Sequence, residues 1–187
     1  KQMASSTRQA LAQAKADISA YLGSDLSFAT DLFVAAEAIS SSAQLRGILS
    51  DPSTERETKN ALIERVFGGK VSSASVEFVK KVAALRVSRS IDLVVVLEQL
   101  GVHAAAAVAA NTSVLDDVQS ELFGFQQVVS SDRELQFALS NKSAPNETKL
   151  ALVKALIGSK ANAVTLALIN QAVGSARGRR VAIVIDQ

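Results

Sequence analysis

The chain has 187 residues, of which 48% are hydrophobic and 20% charged, and its formal net charge is +2. This apolar content supports a folded core, and the length suits one large domain or two small ones. The chain has no Cys and one His, which excludes disulfides, thiolate or multi-His metal sites and Cys nucleophiles. A charge so close to zero gives no electrostatic reason to expect nucleic-acid binding. The chain contains only 2 Pro and 9 Gly, which favours long helices.

Apolar residues recur at helical spacing along almost the whole chain. Before the first proline this pattern predicts three helices, at about residues 5–22, 25–40 and 44–50. A turn at Asp51-Pro52 then precedes a fourth helix, in which Thr54 and Glu57 have the spacing of a capping box. Gly68-Gly69 ends that helix and predicts a left-handed C-terminal cap.

The second half of the chain continues in the same way. Ser72 or Ser73 begins a fifth helix, and a long sixth helix runs from about Ser90 into an Ala-rich stretch. Asn111-Thr112-Ser113 interrupts it, and Ser113 with Asp116 is predicted to start the next helix. Residues 181–185 fit either a short strand or the beginning of a helix.

No segment of the sequence is predicted to enter a membrane. Residues 1–13 are polar and lack the apolar centre of a signal peptide. The most apolar stretch, residues 93–110, contains Glu98, Gln99 and His103 and fits a buried amphipathic helix better than a membrane span. These features predict a soluble, cytoplasmic protein.

An internal repeat carries most of the information in the sequence. Residues 45–97 and 135–187 align without a gap at an offset of 90 (135 minus 45) and share 13 identities in 53 positions. Glu57-Thr58-Lys59 matches Glu147-Thr148-Lys149. The apolar phase is also kept, because Val76, Val79 and Ala83 correspond to Leu166, Ile169 and Val173.

The repeat predicts two tandem, homologous helical bundles that share a long connecting helix. The first would span residues 1–105 and the second residues 106–187, with its last helix truncated. A solenoid is disfavoured, because two units of about 90 residues are too few and too long for the usual arrays of 30 to 50 residues.

The repeated pattern L-x-x-x-L-S-(D/N)-x-S-x-x-x-E-T-K-x-A-L, followed by a Gly-x-Lys turn and a helix ending in VLEQL, resembles the delta subunit of the F-type ATP synthase. Its mitochondrial counterpart is the oligomycin-sensitivity-conferring protein. The segment ELFGFQQVVSSDRELQFALSN is similar to actinobacterial members, which carry a duplicated N-terminal domain. The family pattern would continue into a C-terminal domain that holds the b subunit. Residues 1–187 do not contain it, so we expect either that the chain is a fragment or that the rest is disordered, and Lys1-Gln2-Met3 shows no sign of a fused b helix. The stretches that carry the resemblance are residues 45–62, 68–71, 91–100 and 121–125.

The resemblance implies six-helix bundles and a mechanical, non-catalytic role. In this family the N-terminal domain grips the N-terminal helices of alpha subunits on the catalytic head, and the subunit links the head to the b stalk. It would lie on the cytoplasmic face of the cell membrane and meet the membrane only through the complex. The resemblance implies no catalytic residue, no metal, no cofactor and no small-molecule substrate.

The family's partner-helix groove is formed by its first and fifth helices. Carried over to this chain, the groove residues are Ala10, Leu11, Ala14, Ile18, Val76, Val79, Val82 and Ala83. The second copy offers Leu166, Ile169 and Val173, which would hold another subunit or simply pack inside. A plain core role is the alternative for all of them, because an amphipathic stripe alone is more often core than groove.

Three further features have ordinary structural explanations. The Walker A pattern fails at Gly68-Gly69-Lys70, because Glu64 stands where its first Gly belongs and Val71 where Ser or Thr belongs, so a helix cap is predicted. His103 is predicted to be a surface or interface residue, because no nucleophile accompanies it. The basic run 177–180 reads as a solvated turn, with a contact to an acidic partner as the functional alternative.

A different class of protein also fits the composition. A freestanding helical adaptor or regulatory module that binds a partner amphipathic helix would have the same Ala- and Leu-rich helices and the same lack of reactive residues. An enzyme is disfavoured by the absence of any catalytic constellation.

Overall fold

The computed structural model describes residues 4–23 and 25–174. Over these residues the structure is helical, which confirms the predicted all-α class. A short 3-10 helix (Ile18–Tyr21) follows the first α-helix. The predicted element at 181–185 and the basic run at 177–180 fall outside the described residues. The α-helices are α1 (Ser5–Asp17), α2 (Ser27–Ser40), α3 (Ala43–Ser50), α4 (Arg56–Phe67), α5 (Ser73–Ala83), α6 (Ser90–Asn111), α7 (Leu115–Ser130), α8 (Arg133–Ser140), α9 (Asn146–Ile157) and α10 (Ala163–Gly174).

The chain divides into two compact units, Lys1–Ala107 (unit 1) and Val108–Gln187 (unit 2). The boundary therefore lies inside α6 rather than in a loop. Helix α6 is long and apolar enough by composition to cross a membrane. However, 61% of its most apolar window is buried inside the molecule, as in the core helix of a folded domain.

Unit 1 packs its core from α1 to α6 and the 3-10 helix. Gly101 of α6 shows how closely these helices approach, because a Cβ there would lie 2.4 Å from Cε1 of Phe33 on α2. Only Gly allows this contact. The largest fully buried side chains of the unit are Ile18, Leu32, Ile39, Leu49, Ile63, Phe67, Phe78, Leu93, Leu97 and Leu100.

Unit 2 builds a smaller core from α7, α8, α9 and α10. Its buried cluster is surrounded by apolar side chains that are only partly covered, among them Leu122 and Leu166. The members of the cluster are Phe125, Val129, Leu139, Val153, Ile169 and Val173.

Helices of unit 1 correspond to helices of unit 2 at the same offset of 90 residues that the sequence repeat shows. Helices α3 and α8 both begin and end 90 residues apart, as do α4 and α9. Helices α5 and α10 begin 90 residues apart, and α2 and α7 end 90 residues apart.

Hydrogen bonds in the two units also correspond at this offset. Ser42 Oγ accepts from Leu45 N at the start of α3, and Asp132 Oδ1 accepts from Leu135 N at the start of α8. Likewise, Arg46 donates to Ser40 O, and Gln136 donates to Ser130 O. The side chains differ, but each occupies the same place in the turn.

Two predicted helix starts are wrong. Helix α4 begins at Arg56 with Glu55 as its N-cap, so Thr54 and Glu57 do not form a capping box. The cause is the preceding turn, in which Thr54 N donates to Asp51 O at 3.2 Å. Ser113 does not start α7 either, because its φ of 61° and its N–H bond to Ala110 O make it part of the C-terminal turn of α6.

Two other predicted helix ends are confirmed. Ser72 is the N-cap of α5, and its side chain accepts from Ser75 N at 3.1 Å. Gly69 adopts a φ of +80° directly after α4, which is the left-handed conformation that the double glycine predicted.

Candidate partner-helix site

The predicted groove residues lie on α1, the 3-10 helix and α5, and α5 packs against both of the other two helices. Seven of the eight side chains are at most 4% exposed, and only Leu11 is partly exposed. The seven therefore fill the interior of unit 1, and a partner helix could touch them only at their edges. Their role as a groove stays a prediction.

A buried polar cluster holds the beginning of α1. Thr7 Oγ1 donates to Asp92 Oδ2 at 3.0 Å and accepts from Ser88 N at 3.1 Å. Arg89 donates to the same carboxylate through its backbone N–H at 3.2 Å and its guanidinium at 3.1 Å. Thr7 and Asp92 are 0% and 4% exposed, so the bond between them is shielded from water, whereas the bonds from Ser88 and Arg89 are only partly buried. A buried polar group that loses its partner costs about 1–3 kcal/mol, which makes this cluster a firm anchor for α1.

Three aromatic rings hold the other end of the first helical segment. The Tyr21 ring centroid lies 5.5 Å from that of Phe28 and 5.0 Å from that of Phe78, and the two Phe rings are 5.3 Å apart. Lys81 Nζ lies 5.2 Å from the Tyr21 centroid, within the range of a cation–π contact. The rings connect the 3-10 helix to both α2 and α5.

Polar contacts also hold α5 at both of its ends. Asp31 Oδ2 accepts from Ser72 N at 3.2 Å and from Ser75 Oγ at 2.7 Å at the helix start. At the helix end, Lys59 Nζ donates to Ala83 O at 3.3 Å. Lys59 is only 7% exposed, and this burial lowers the pKa of its ammonium group. The position of α5 is thus set independently of any partner.

On its outer side α5 carries a small charged cluster. Lys80 Nζ lies 2.8 Å from Glu64 Oε2 and 3.0 Å from Glu77 Oε1. The hydrogen bond to Glu64, and then that to Glu77, raise the pKa of Lys80. Both carboxylates are well exposed, so the cluster contributes little stability and remains available to a partner.

The residues that could suggest chemistry have structural surroundings. Gly68 N donates to Glu64 O at 2.8 Å and Lys70 N to Phe67 O at 2.9 Å, which confirms the helix-cap interpretation. His103 is partly buried on α6, and burial, followed by the charge of Lys15, lowers its pKa. Among the described residues, no group of three or more His, Cys, Asp or Glu could hold a metal ion.

The polar residues that position α1 and α5 were not predicted from the sequence. Thr7 interrupts the apolar stripe of α1 at a position where Ala10 and Ala14 continue it, and a polar residue there signals a buried hydrogen bond. Lys59 belongs to the repeated E-T-K motif, yet nothing in the sequence indicates that its ammonium reaches a carbonyl 24 residues away.

A match to a known protein family shows where this helical chain belongs. The model of the ATP synthase delta (OSCP) subunit family matches residues 9–100 and 102–187, in two consecutive stretches that together span both units. The chain belongs to this family. Delta subunits are non-catalytic members of the peripheral stalk of F-type ATP synthase, a membrane-associated complex.

Individual delta subunits agree with the family match. The chain is 41% identical to ATP synthase subunit delta of Leifsonia xyli subsp. xyli over 96% of this chain and 67% of that protein. It is 39% identical to that of Acidothermus cellulolyticus over 80% of this chain and 55% of that protein. It is 35% identical to that of Streptomyces coelicolor over 95% of this chain and 66% of that protein. The chain thus spans about two thirds or less of these curated relatives.

Proposed function

We propose that this chain is part of a joint that connects the catalytic head of ATP synthase to the b stalk, and that unit 1 holds the N-terminal helix of an alpha subunit along α1 and α5. The observation that carries this proposal is the family match across both units. The homology of the two units belongs to the proposal too, and the shared offset of 90 in helix boundaries supports it.

The packing of α1 and α5 supports their choice as the docking face. The two helices are tied at separate points by the Thr7–Asp92 bond, by the Tyr21 rings and by the Lys59–Ala83 bond. A docking face that is preformed in this way loses little conformational entropy when a helix binds. Because Ala10, Ala14 and Ala83 are small, the backbones of α1 and α5 can approach each other closely, and a partner would meet these residues at their edges.

A joint that resists rotation of the head needs stiffness rather than reactive groups. Helices packed through Val, Leu and Phe side chains supply that stiffness, because close-packed interiors have low compressibility. The joint would work at the cytoplasmic face of the membrane and contact the membrane only through the rest of the complex.

Co-purification tests the proposed assembly. A tagged chain expressed in its own cells should bring down alpha and b subunits from solubilised membranes. Recovery of the folded chain without either subunit would contradict the stalk role and favour a freestanding adaptor.

Titration with a synthetic peptide of the alpha N-terminus tests the docking face. Leu11 is the only predicted groove residue that is partly exposed, so Leu11→Asp places a charge on the face without entering the core. We expect affinity to fall by about 10-fold or more, because 1.4 kcal/mol of lost binding free energy is tenfold in Kd. Gln13→Asp, on the exposed side of the same helix, is the matched control and should bind like the wild type. Equal affinity of both variants would move the docking face elsewhere.

A further inference from the structure

Unit 2 carries an open groove between α7 and the end of α9. The apolar part is a surface pocket of about 330 Å³ lined by Gly124, Phe125, Val128, Leu156 and Ile157. Val128 is 47% and Leu156 37% exposed, although both are apolar. A second pocket of about 450 Å³ adjoins it, shares Glu121, Lys160 and Ala161 with it, and is lined mainly by polar residues.

The α7 wall of this groove is one continuous helical stripe. Each of its residues has another of them three or four positions away, so they form a single face of the helix; they are Asp117, Ser120, Glu121, Gly124, Phe125 and Val128. The eleven steps from Asp117 to Val128, at a rise of about 1.5 Å each, make the stripe about 16 Å long, or about three helical turns. At its centre, a Cβ on Gly124 would meet no atom within 4 Å, so a second backbone can approach closely there.

Charge varies along the groove in a way that restricts what fits it. Asp117 and Lys160 line its polar part with opposite charges, and Val128 and Leu156 form its apolar end. Glu121 is already occupied, since its carboxylate accepts from Asn162 N at 3.0 Å and Thr165 Oγ1 at 2.7 Å. A complementary ligand therefore presents apolar side chains over about two turns and a pair of opposite charges at one end, which describes an amphipathic helix.

The corresponding face of unit 1 indicates that a helix packed in the manner of α6 would not fill this groove. In unit 1, α6 packs on Phe33, which is 7% exposed, while the adjacent Val34 stays 49% exposed. The counterparts at the offset of 90 are Phe123 and Gly124. A helix placed on unit 2 as α6 lies on unit 1 would cover Phe123 and leave the Gly124 groove open.

We propose that the Gly124 groove of unit 2 binds an amphipathic helix of another ATP synthase subunit, at a second docking site distinct from the α1–α5 face. This inference rests on the proposed function, since the partner is a subunit of the same complex. On unit 1 the counterpart of Gly124 is Val34, whose exposed side chain would keep a second backbone from approaching as closely.

The absence of cysteine makes a direct test possible. Val128→Cys puts a single thiol in the groove, and Val34→Cys is its control on unit 1, with native side chains that are 47% and 49% exposed. Maleimide labelling rates are compared between the isolated chain and assembled ATP synthase. We expect assembly to slow labelling at position 128 by about 10-fold or more and to change position 34 by less than about 2-fold, as burial of one site alone requires.

The outcomes separate this inference from the proposed function. If the chain co-purifies with ATP synthase and both thiols keep their rates, the groove is empty and only this inference fails. If the chain does not enter the complex at all, the proposed function fails and the inference falls with it. Protection of position 128 in the isolated chain that grows with protein concentration would mean a second copy of this chain and would also overturn it.

The identity of the occupant is read from a crosslink. A benzophenone maleimide attached to Val128→Cys in the assembled complex should form its adduct with a helical segment of another subunit. An adduct within this chain or with lipid overturns the assignment. Gly124→Leu provides a second readout, because it fills open space in a helix and should leave the fold intact while reducing assembly; Gly124→Ala should assemble normally.

Discussion

Units 1 and 2 use the same framework of turns but fill it differently. Asp31 accepts from Ser75 Oγ in unit 1, and Glu121 accepts from Thr165 Oγ1 in unit 2, at positions exactly one offset apart. The acid and the hydroxyl residue have both changed, and the bond between them has the same length of 2.7 Å. The turn at the start of α5, like the turn at the start of α10, is therefore specified by a pair of interacting side chains rather than by either residue alone.

The cores differ much more than the turns. Tyr21, Phe28 and Phe78 form an aromatic cluster in unit 1, whereas their counterparts in unit 2 are Asn111, Val118 and Leu168. The comparison teaches that a hydrogen bond at a helix end can be kept when the side chains that form it are exchanged, while the space between helices can be filled by many combinations of side chains.

The largest expected effect is in the aromatic core. Phe78→Ala removes a fully buried ring and should lower the free energy of unfolding of unit 1 by about 3–5 kcal/mol. The single tyrosine of the chain, Tyr21, packs on Phe78, so its fluorescence during urea unfolding reports on unit 1 alone. Leu168→Ala, at the counterpart position, should leave the Tyr21 transition unchanged. A shift of that transition by Leu168→Ala would show that the two units unfold as one.

The helix-start pair comes next. Asp31→Ala leaves Ser72 N and Ser75 Oγ without their acceptor and should cost about 2–3 kcal/mol in the Tyr21 transition, as hydrogen bonds to charged groups do. Asp31→Glu combined with Ser75→Thr installs the pair of unit 2. We expect the double variant to lose about 0.5–3 kcal/mol less free energy of unfolding than the two single variants lose together, as in coupled neighbours. Strict additivity would contradict the idea that the pair acts together.

The Thr7 anchor is specific to unit 1, because the counterparts of Thr7 and Asp92 are Leu97 and Ala182. Thr7→Val keeps the shape of the side chain but removes the hydroxyl that joins Ser88 N to the Asp92 carboxylate. The expected loss is about 1–2 kcal/mol in thermal unfolding, with earlier proteolysis in α1. Thr7→Ser keeps the hydroxyl and should retain most of that stability; a loss in Thr7→Ser but not in Thr7→Val would assign the effect to the methyl group instead.

The smallest effect concerns pH and the single histidine. Burial, and then the charge of Lys15, lowers the folded-state pKa of His103 below its ordinary 6.5. As the pH falls below 6.5, the unfolded chain binds this proton first, so His103 contributes a loss of stability that grows until the folded-state pKa is passed. The His103→Gln variant should lose less stability than the wild type between pH 7 and pH 5 in urea titrations. Parallel pH profiles would contradict this assignment.

The helices and their spacing could be predicted because burial imposes a 3.6-residue period that survives substitution. The exact helix starts could not. Thr54 has the right spacing for a capping box, but its backbone N–H is bonded to Asp51 O. Thr54 therefore belongs to the preceding turn and not to the start of the helix. Ser113 has a side chain typical of an N-cap, but its backbone closes the preceding helix instead.

At the candidate site, too, the sequence pattern predicted which side chains are buried but not what covers them or holds them in place. The stripe of Val76, Val79 and Val82 predicted a buried face correctly, yet an apolar stripe does not say whether the protein or a partner covers it. The contacts that hold the face in place depend on residues far apart in the sequence. Thr7 and Asp92 are 85 positions apart, and no local pattern connects them.

Gly101 limits how the two copies could diverge under the proposed duplication. By the offset of 90 it is the counterpart of Leu11, and it is also the residue on which Phe33 packs in unit 1. A leucine at this position would collide with the Phe33 ring, so a residue identical to that of the first copy would not fit the present contact between α2 and α6. Under the proposed duplication the two repeats would overlap in α6, and this helix would then serve as the last helix of one copy and the first of the next with one set of residues.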